Sequence, residues 1–547
     1  MKLAFTIALI LFFIPLATQG NLYFVGGDDM RLYYVYPKEY IQNLLLNIVT
    51  DNTIGGGNTG YYPATHPIPL ITLIRLVKTL IPLNTQFVMY GLNWAIAFIF
   101  FYLFLGLWLE DKTWTSKVVK IVSSLFYIFS PFLTKNLYKH QMIVLFLIAA
   151  TPAVLYFFIK SLREKKLLYV VTSCLIFTVL STNLSSLPWV IPIIITSAPL
   201  LTFEFFRSKT RFILHSLIFF LCYLLLNISW IFHLAYLTLN NTGLITALGT
   251  YSSSGFLEAN IAGIRGTTTL FSPLNGVINQ LETGLAGKLN TVSFINLIFM
   301  AIIVGAGVYI TREKNKTLIQ GFIVSLFGLL ISWYLMIPNF SKWGPEFFIW
   351  LSLHIPFFTM FRNMFDKFAL TTAFFYAFTI GLGMAIIAAR VKRRSIYVAL
   401  CMMLLGIIFI NALPLFQERT DHVGVKAKMS GTFNDDFTDL AKYLSQLENP
   451  SRILWLPLNY PTFVNIEDKY YPGHFYSGPS PLRFLANRQD YTGQYSFITS
   501  TNIAIGDSIF PIIRDKKYQD FGHMIQLLNA RYVIIDHQKL PDDMTSY

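Results

Sequence analysis

The sequence has few charged residues and few cysteines. Only 13% of its 547 residues are charged, about half the share of roughly 25% in a typical soluble domain. The three cysteines, Cys174, Cys222 and Cys401, lie inside apolar segments, which excludes a disulfide framework and a cysteine metal site. No histidine cluster has metal-site spacing. No internal repeat is visible, and the glycine run at 55–57 lacks the Lys-Ser/Thr pair of a phosphate-binding loop.

The composition instead indicates a membrane protein. Hydrophobic residues make up 54% of the chain and aromatic residues 16%. A net charge of +14 would suggest nucleic acid as the partner of a soluble protein. Here the basic residues concentrate in short loops between apolar segments, which is typical of membrane topology. The sequence therefore predicts the lipid bilayer as a partner and no nucleic acid.

Apolar segments long enough to cross a bilayer recur along the chain. They lie at about 85–109, 118–133, 141–160, 167–181, 187–206, 212–238, 291–310, 317–337, 368–389 and 395–415. One more lies at 3–25, and its poor cleavage site at 16–19 favours an uncleaved first helix over a signal peptide. The predicted fold is an all-α polytopic membrane protein of about eleven transmembrane helices.

Loop charge orients these spans. Five alternate loops, at 112–117, 163–166, 207–211, 312–316 and 390–394, are basic and belong in the cytoplasm by the positive-inside rule. The N-terminus is then cytoplasmic and the C-terminus extracytoplasmic. Segment 347–367 is apolar, but crossing there would place the last basic loop outside. We therefore predict that it is re-entrant or lies on the outer surface.

The same topology predicts two domains. Residues 1–415 form the transmembrane domain, with a first outer loop at 26–84 and a long outer loop at 239–290. Residues 416–547 form an extracytoplasmic α/β domain, with helices at 433–447 and 518–529 and strands at 452–457 and 531–536. The chain stops shortly after the second strand, where an α/β domain normally continues, which is consistent with a truncated domain.

Two adjacent carboxylates, Asp28 and Asp29, follow the first apolar segment. Acids so close to hydrocarbon are costly to hold there and mark candidate chemistry. Transfer of a sugar from a lipid-linked phosphate fits them, because the phosphate leaves as a stable anion and one carboxylate can take the proton of the acceptor hydroxyl. The pair could also ligate a divalent cation, Mg²⁺ or Mn²⁺. The alternative is that both acids only end the helix and keep the loop hydrated.

Such a reaction also needs cations that hold the phosphate. Six candidates share the predicted outer face: Arg31, Lys139, His140, Arg265, Arg362 and Lys367. Four of them have a simpler interpretation. Lys139 and His140 could be snorkelling interfacial residues, and Arg362 and Lys367 could be headgroup anchors, with Asp366 paired to either.

Here the sequence resembles a known group of membrane enzymes. Acids directly after a first helix resemble the GT-C glycosyltransferase fold. Segment 360–368 (MFRNMFDKF) is similar to the Phe-Arg-Glu-Pro-x-Lys-Phe pattern of a bacterial branch, the arabinofuranosyltransferase-like and YfhO-like membrane proteins. Segment 528–535 (LNARYVII) is similar to a tail strand of that branch. Asn363 and Met364 stand where the branch has Glu and Pro.

The resemblance implies an inverting glycosyltransferase with a polyprenyl-phosphate sugar donor and a cell-envelope glycan or protein as acceptor. Asp28 or Asp29 would be the base or a metal ligand, and Arg362 and Lys367 would line the donor site. Some relatives carry a label borrowed from 6-pyruvoyl-tetrahydropterin synthase, but no residue pattern here supports pterin chemistry.

Two other functions stay open from the sequence. A transporter or flippase of lipid-linked sugars would carry ionisable residues near the bilayer midplane and often internal repeats. A non-enzymatic scaffold for envelope assembly would have an outer face closed over the Asp pair. The sequence identifies neither the sugar nor the acceptor.

Overall fold

The structure is a computed structural model. It describes residues 2–19, 32–42, 49–50, 57–58, 68–110, 113–130, 133, 142–180, 187–240, 291–310, 313–338, 343–355, 358–361, 364–390, 394–416, 432–433, 435–447, 452–459, 463–467, 474–477, 482–486, 488, 490–493, 508–509 and 511–535.

Most of the described elements are helices. In chain order they are α1 (Lys2–Gln19), α2 (Leu32–Val35), α3 (Pro37–Tyr40), α4 (Ile68–Leu80), α5 (Thr85–Gly106), α6 (Trp114–Ile128), α7 (Met142–Glu164), α8 (Leu167–Leu180), α9 (Leu187–Arg207), α10 (Lys209–Asn240), α11 (Thr291–Ile310), α12 (Lys316–Met336), α13 (Gly344–His354), α14 (Met364–Arg390), α15 (Arg394–Phe416), α16 (Asp435–Gln446), α17 (Leu482–Leu485) and α18 (Tyr518–Leu527). A short 3₁₀ helix spans Phe358–Phe361.

The strands have two to eight residues. They are β1 (Val49–Thr50), β2 (Gly57–Asn58), β3 (Thr432–Phe433), β4 (Arg452–Asn459), β5 (Phe463–Glu467), β6 (His474–Ser477), β7 (Asp490–Gly493) and β8 (Ala530–Ile535).

Each apolar segment predicted to span coincides with a helix. Among the described residues, six helices are long and apolar enough to cross a membrane: Thr85–Gly106, Phe146–Glu164, Trp189–Arg207, Lys209–Ile228, Lys316–Met336 and Lys367–Arg390. The chain is therefore a largely helical membrane protein, whereas the count of eleven spans stays a prediction. Helix α6 ends at Ile128, before the predicted end at 133. It begins at Trp114, before the predicted start at 118, because the Thr113 side chain accepts a hydrogen bond from the Ser116 amide and caps the helix there.

The chain divides into two compact units. The first comprises Met1–Gly20, Phe87–Leu226 and Tyr251–Val425, and the second comprises Asn21–Gln86, Asn227–Thr250 and Lys426–Tyr547. The domain boundary predicted at 415–416 stays a prediction.

Helix α14 forms the centre of the first unit. It packs against α6, α9, α11 and α12. Of the residues in its most apolar stretch, 83% are buried, whereas in the corresponding stretch of α10 only 11% are buried. Small residues permit this close packing. A Cβ at Gly328 would lie 2.5 Å from the Phe375 ring, and one at Gly381 would lie 2.6 Å from the Ser123 hydroxyl. Small residues at helix contacts are typical of membrane bundles, because they allow backbones to approach closely.

Segment 347–367 begins within helix α13. This helix has 11 residues and a length of roughly 17 Å, well short of the roughly 30 Å hydrocarbon core. Its Trp350 and Leu353 side chains are exposed. The length is consistent with a helix that does not cross the bilayer, although re-entry itself stays a prediction.

In the second unit, a parallel three-stranded sheet contains β4 between β7 and β8. Leu454 and Leu456 of β4 pack in one buried cluster with Ile509, Leu528 and Ala530. The predicted helices and strands of the tail are therefore present, and β7 is an additional strand that was too short to be predicted. A second sheet, β3-β5-β6, is antiparallel. The extracytoplasmic placement of these elements stays a prediction.

Candidate functional site

Lys367 is the one predicted site residue that the structure describes. It lies in the first turn of α14, and its Nζ lies 3.6 Å from the centroid of the Trp189 ring. Trp189 lies near the start of α9 and is only 4% exposed. A cation over an indole face is stabilised by the ring quadrupole, more strongly when water is excluded. The indole therefore fixes the position of this lysine at the ends of two helices.

The electrostatics of this position favour an anion. The first turn of a helix carries the positive end of the helix dipole and exposes backbone N–H groups. Lys367 adds to that positive potential, and the adjacent Asp366 of the same turn offsets part of it. Phosphate is an anion that such a position accepts, and it is the group that the predicted donor carries.

The other predicted site residues, Asp28, Asp29, Arg31, Lys139, His140, Arg265 and Arg362, lie outside the described residues. Their mutual geometry, and the predicted Mg²⁺ or Mn²⁺ site at the Asp pair, are therefore untested. Among the residues that the structure does describe, no group of three or more His, Cys, Asp or Glu side chains could hold a metal ion.

The segment that follows the Asp pair in sequence is a packed aromatic cluster. Tyr33, Tyr34 and Tyr40 are at most 3% exposed, and the rings of the first two lie 4.4 Å apart. Helix α4 packs against α2 and α3 and has one buried face, formed by Leu70, Ile71 and Ile74. The first loop therefore holds a compact core of its own.

Lys78 of α4 joins that cluster. Its Nζ donates a hydrogen bond to the Val35 carbonyl at the end of α2. Burial lowers the pKa of Lys78, and the Glu39 charge partly offsets that shift. Burial is the main cause that raises the pKa of Tyr36, and the negative charge of Glu39 raises it further. Lys78 therefore links α4 to the end of α2.

Sequence reasoning missed an ionic cluster at the opposite ends of the spans. Arg163 contacts Glu204 through Nη2 at 2.5 Å and through Nε at 3.1 Å, and its guanidinium carbon lies 4.5 Å from the Trp108 ring centroid. Glu204 is 1% exposed. A lone acid inside an apolar span requires a partner, and that signal could have revealed the cluster.

Comparison with known proteins gives a fold. No protein-family model matches the chain, and no curated protein matches its sequence. A solved structure of arabinofuranosyltransferase AftD from Mycobacteria aligns at a TM-score of 0.52 and 14% identity over 89% of this chain. A structure of the R1389S mutant of that protein aligns at a TM-score of 0.51 and 13% identity over 90% of this chain. This chain spans 31% and 32% of the length of those chains. The chain therefore has a GT-C-like membrane fold similar to that of a mycobacterial arabinofuranosyltransferase.

Proposed function

We propose that this protein is an integral membrane glycosyltransferase that transfers a sugar from a polyprenyl-phosphate donor to a cell-envelope glycan or protein on the extracytoplasmic face. The observation that carries the proposal is Lys367, fixed on Trp189 at the first turn of α14. The similarity in fold to AftD supports the reaction class, because AftD is named as an arabinofuranosyltransferase, an enzyme that transfers a sugar.

The proposed reaction is an inverting displacement at the anomeric carbon. One carboxylate of Asp28 or Asp29 takes the proton of the acceptor hydroxyl as its oxygen attacks, and the bond to the donor phosphate breaks. Lys367 and Arg362 neutralise the departing phosphate, with Arg31, Lys139, His140 and Arg265 as further candidates. The two adjacent carboxylates offer oxygen ligands of the kind that Mg²⁺ or Mn²⁺ prefers, and no step here depends on the cation.

The test replaces Asp28 and Asp29 separately with Asn and measures sugar transfer from a lipid-linked donor in membranes. Asn keeps the size and one acceptor oxygen of the carboxylate but cannot act as the base. We expect loss of roughly 10²–10⁴-fold in rate for the residue that is the base. Asp439→Asn, on helix α16 of the C-terminal tail, is the matched control. Full activity of both variants would reject the assignment.

A second candidate function, a flippase of lipid-linked sugars, is favoured by Lys120. This lysine lies in the middle of α6, is 1% exposed, and its Nζ lies 4.2 Å from the Tyr102 ring centroid. Ionisable residues buried within a bundle are common on transport paths. A Lys120→Met variant that stops lipid translocation in vesicles, while wild type shows no sugar transfer, would establish this alternative and refute ours.

A further inference from the structure

The turn between α7 and α8 brings two lysines to one tyrosine ring. The Nζ of Lys160 lies 4.7 Å, and that of Lys166 5.8 Å, from the Tyr169 ring centroid. Lys166 belongs to the basic loop at 163–166 that the sequence places in the cytoplasm, and Lys160 lies about one turn before the end of α7. The arrangement therefore lies at a membrane interface, where tyrosine rings are enriched.

Lys160 is the better-fixed member of the pair. Its Nζ donates a 2.9 Å hydrogen bond to the Tyr156 hydroxyl and lies 3.7 Å from the Glu164 carboxylate. Its side chain is 23% exposed, whereas that of Lys166 is 63% exposed. One ammonium is thus held in place against two rings, and the other is free to adjust to a ligand.

The local charge is not balanced. Glu164 is shared by both lysines, at 3.7 and 3.6 Å, and is itself 42% exposed. Exposed ion pairs of this kind are weak, so a stronger anion can share or replace the carboxylate. The neighbouring Arg163 is already bonded to Glu204. Lys160, Lys165 and Lys166 against one glutamate leave the turn positively charged.

An aromatic surface continues from the lysines along the spans. The Tyr169 ring lies 6.0 Å from that of Phe157, and the Phe157 ring lies 5.4 Å from that of Phe100. Phe100 and Phe157 are half-buried, and both lie on candidate spans. Two ammonium groups therefore lie at one end of a row of aromatic rings. This arrangement is complementary to a molecule with an anionic headgroup and a hydrocarbon tail.

We propose that this turn binds one anionic glycerophospholipid. Its phosphate lies between Lys160 and Lys166 beside the Tyr169 ring, and an acyl chain lies along Phe157 and Phe100. The positive charge of the turn selects a lipid with net negative charge over a zwitterionic one. This site is independent of the proposed glycosyltransferase reaction, so neither hypothesis depends on the other.

The test uses the delipidated full-length protein in detergent. Binding is measured by native mass spectrometry and by the apparent melting temperature, with phosphatidylglycerol, phosphatidylcholine or inorganic phosphate added. The variant is Lys160→Met/Lys166→Met, and the matched control is Lys314→Met/Lys316→Met, which removes two exposed lysines from another basic loop. Lys160→Arg/Lys166→Arg guards against misfolding, because it keeps both charges.

We expect phosphatidylglycerol to bind and stabilise wild type, the control and the arginine variant. The methionine variant should bind it roughly 30-fold more weakly, because each interfacial lysine contributes about a fivefold factor. Equal binding by the methionine variant, equal stabilisation by phosphatidylcholine, or the same effect from inorganic phosphate alone would each overturn the proposal.

Discussion

Arg163 and Glu204 form an ion pair that joins α7 to α9, with the Arg163 Nη2 2.5 Å from the Glu204 carboxylate. The same guanidinium donates through Nη1 to the Leu107 carbonyl, just after the end of α5, and stacks on Trp108. One side chain therefore connects three helices of the first unit, in a position where Glu204 has almost no access to solvent.

Removal of one partner should cost far more than removal of both. Arg163→Met leaves a buried carboxylate without its cation, which costs roughly 3–5 kcal/mol in comparable pairs, whereas an apolar replacement of both partners is often neutral. We expect a lower apparent melting temperature for Arg163→Met and recovery in Arg163→Met/Glu204→Leu. A double variant that melts no higher than the single variant would contradict this role.

Gly91 should tolerate no side chain. A Cβ at this position in α5 would lie 2.0 Å from the Phe12 backbone oxygen of α1, and backbone atoms cannot rotate away. Gly91→Ala should therefore destabilise the protein by about 3 kcal/mol or more. Gly406→Ala is the control, because nothing lies within 4 Å of that Cβ, and alanine there should be neutral or slightly stabilising. Thermal unfolding of both variants in the same detergent measures the difference.

Lys78 should order the segment after the predicted catalytic acids. Lys78 is exposed, so loss of its hydrogen bond should cost about 1 kcal/mol, and Lys78→Met should raise amide exchange in residues 32–42 by roughly fivefold. Arg75→Met removes an exposed cation from the same helix and should leave that exchange unchanged. Hydrogen–deuterium exchange of peptides that contain residues 32–42 measures the rate in both variants. Identical rates in Lys78→Met and Arg75→Met would exclude the anchoring role.

Replacement of Lys516 by glycine should stabilise the second unit. It has a φ of 55° and follows the single helical turn at 511–514. The amides of Lys516 and Lys517 bond back to the Ile513 and Ile512 carbonyls, as in a Schellman motif. The left-handed conformation costs a non-glycine residue about 1–2 kcal/mol. Lys516→Gly should raise the melting temperature of the second unit, and Lys516→Ala, which keeps the Cβ, should not. A lower melting temperature for the glycine variant would refute the strain.

The sequence predicts helix positions well and side-chain partners poorly. The segment predicted at 317–337 is the helix Lys316–Met336, and that at 187–206 is Leu187–Arg207, because long apolar segments end at polar or basic residues. A helix cap such as Thr113 moves a boundary without changing hydropathy.

The candidate site was harder to predict. Lys367 was proposed from a short motif, but Trp189 was not, since the contact between them depends on how α9 packs beside α14. Glu204, a lone acid in an apolar span, signals that a partner is needed, but the identity of that partner as Arg163 depends on helix packing in the same way. Apolar patterning carries no information about which distant residues face each other across a helix contact.

The most direct measurement is a cryo-EM structure of the protein in a lipid nanodisc with a polyprenyl-phosphate sugar bound. The account predicts the donor phosphate within ion-pair distance, roughly 4 Å, of Lys367, with an Asp28 or Asp29 carboxylate facing the anomeric carbon. A donor bound away from Lys367, or carboxylates that face neither the donor nor an open groove, would contradict it.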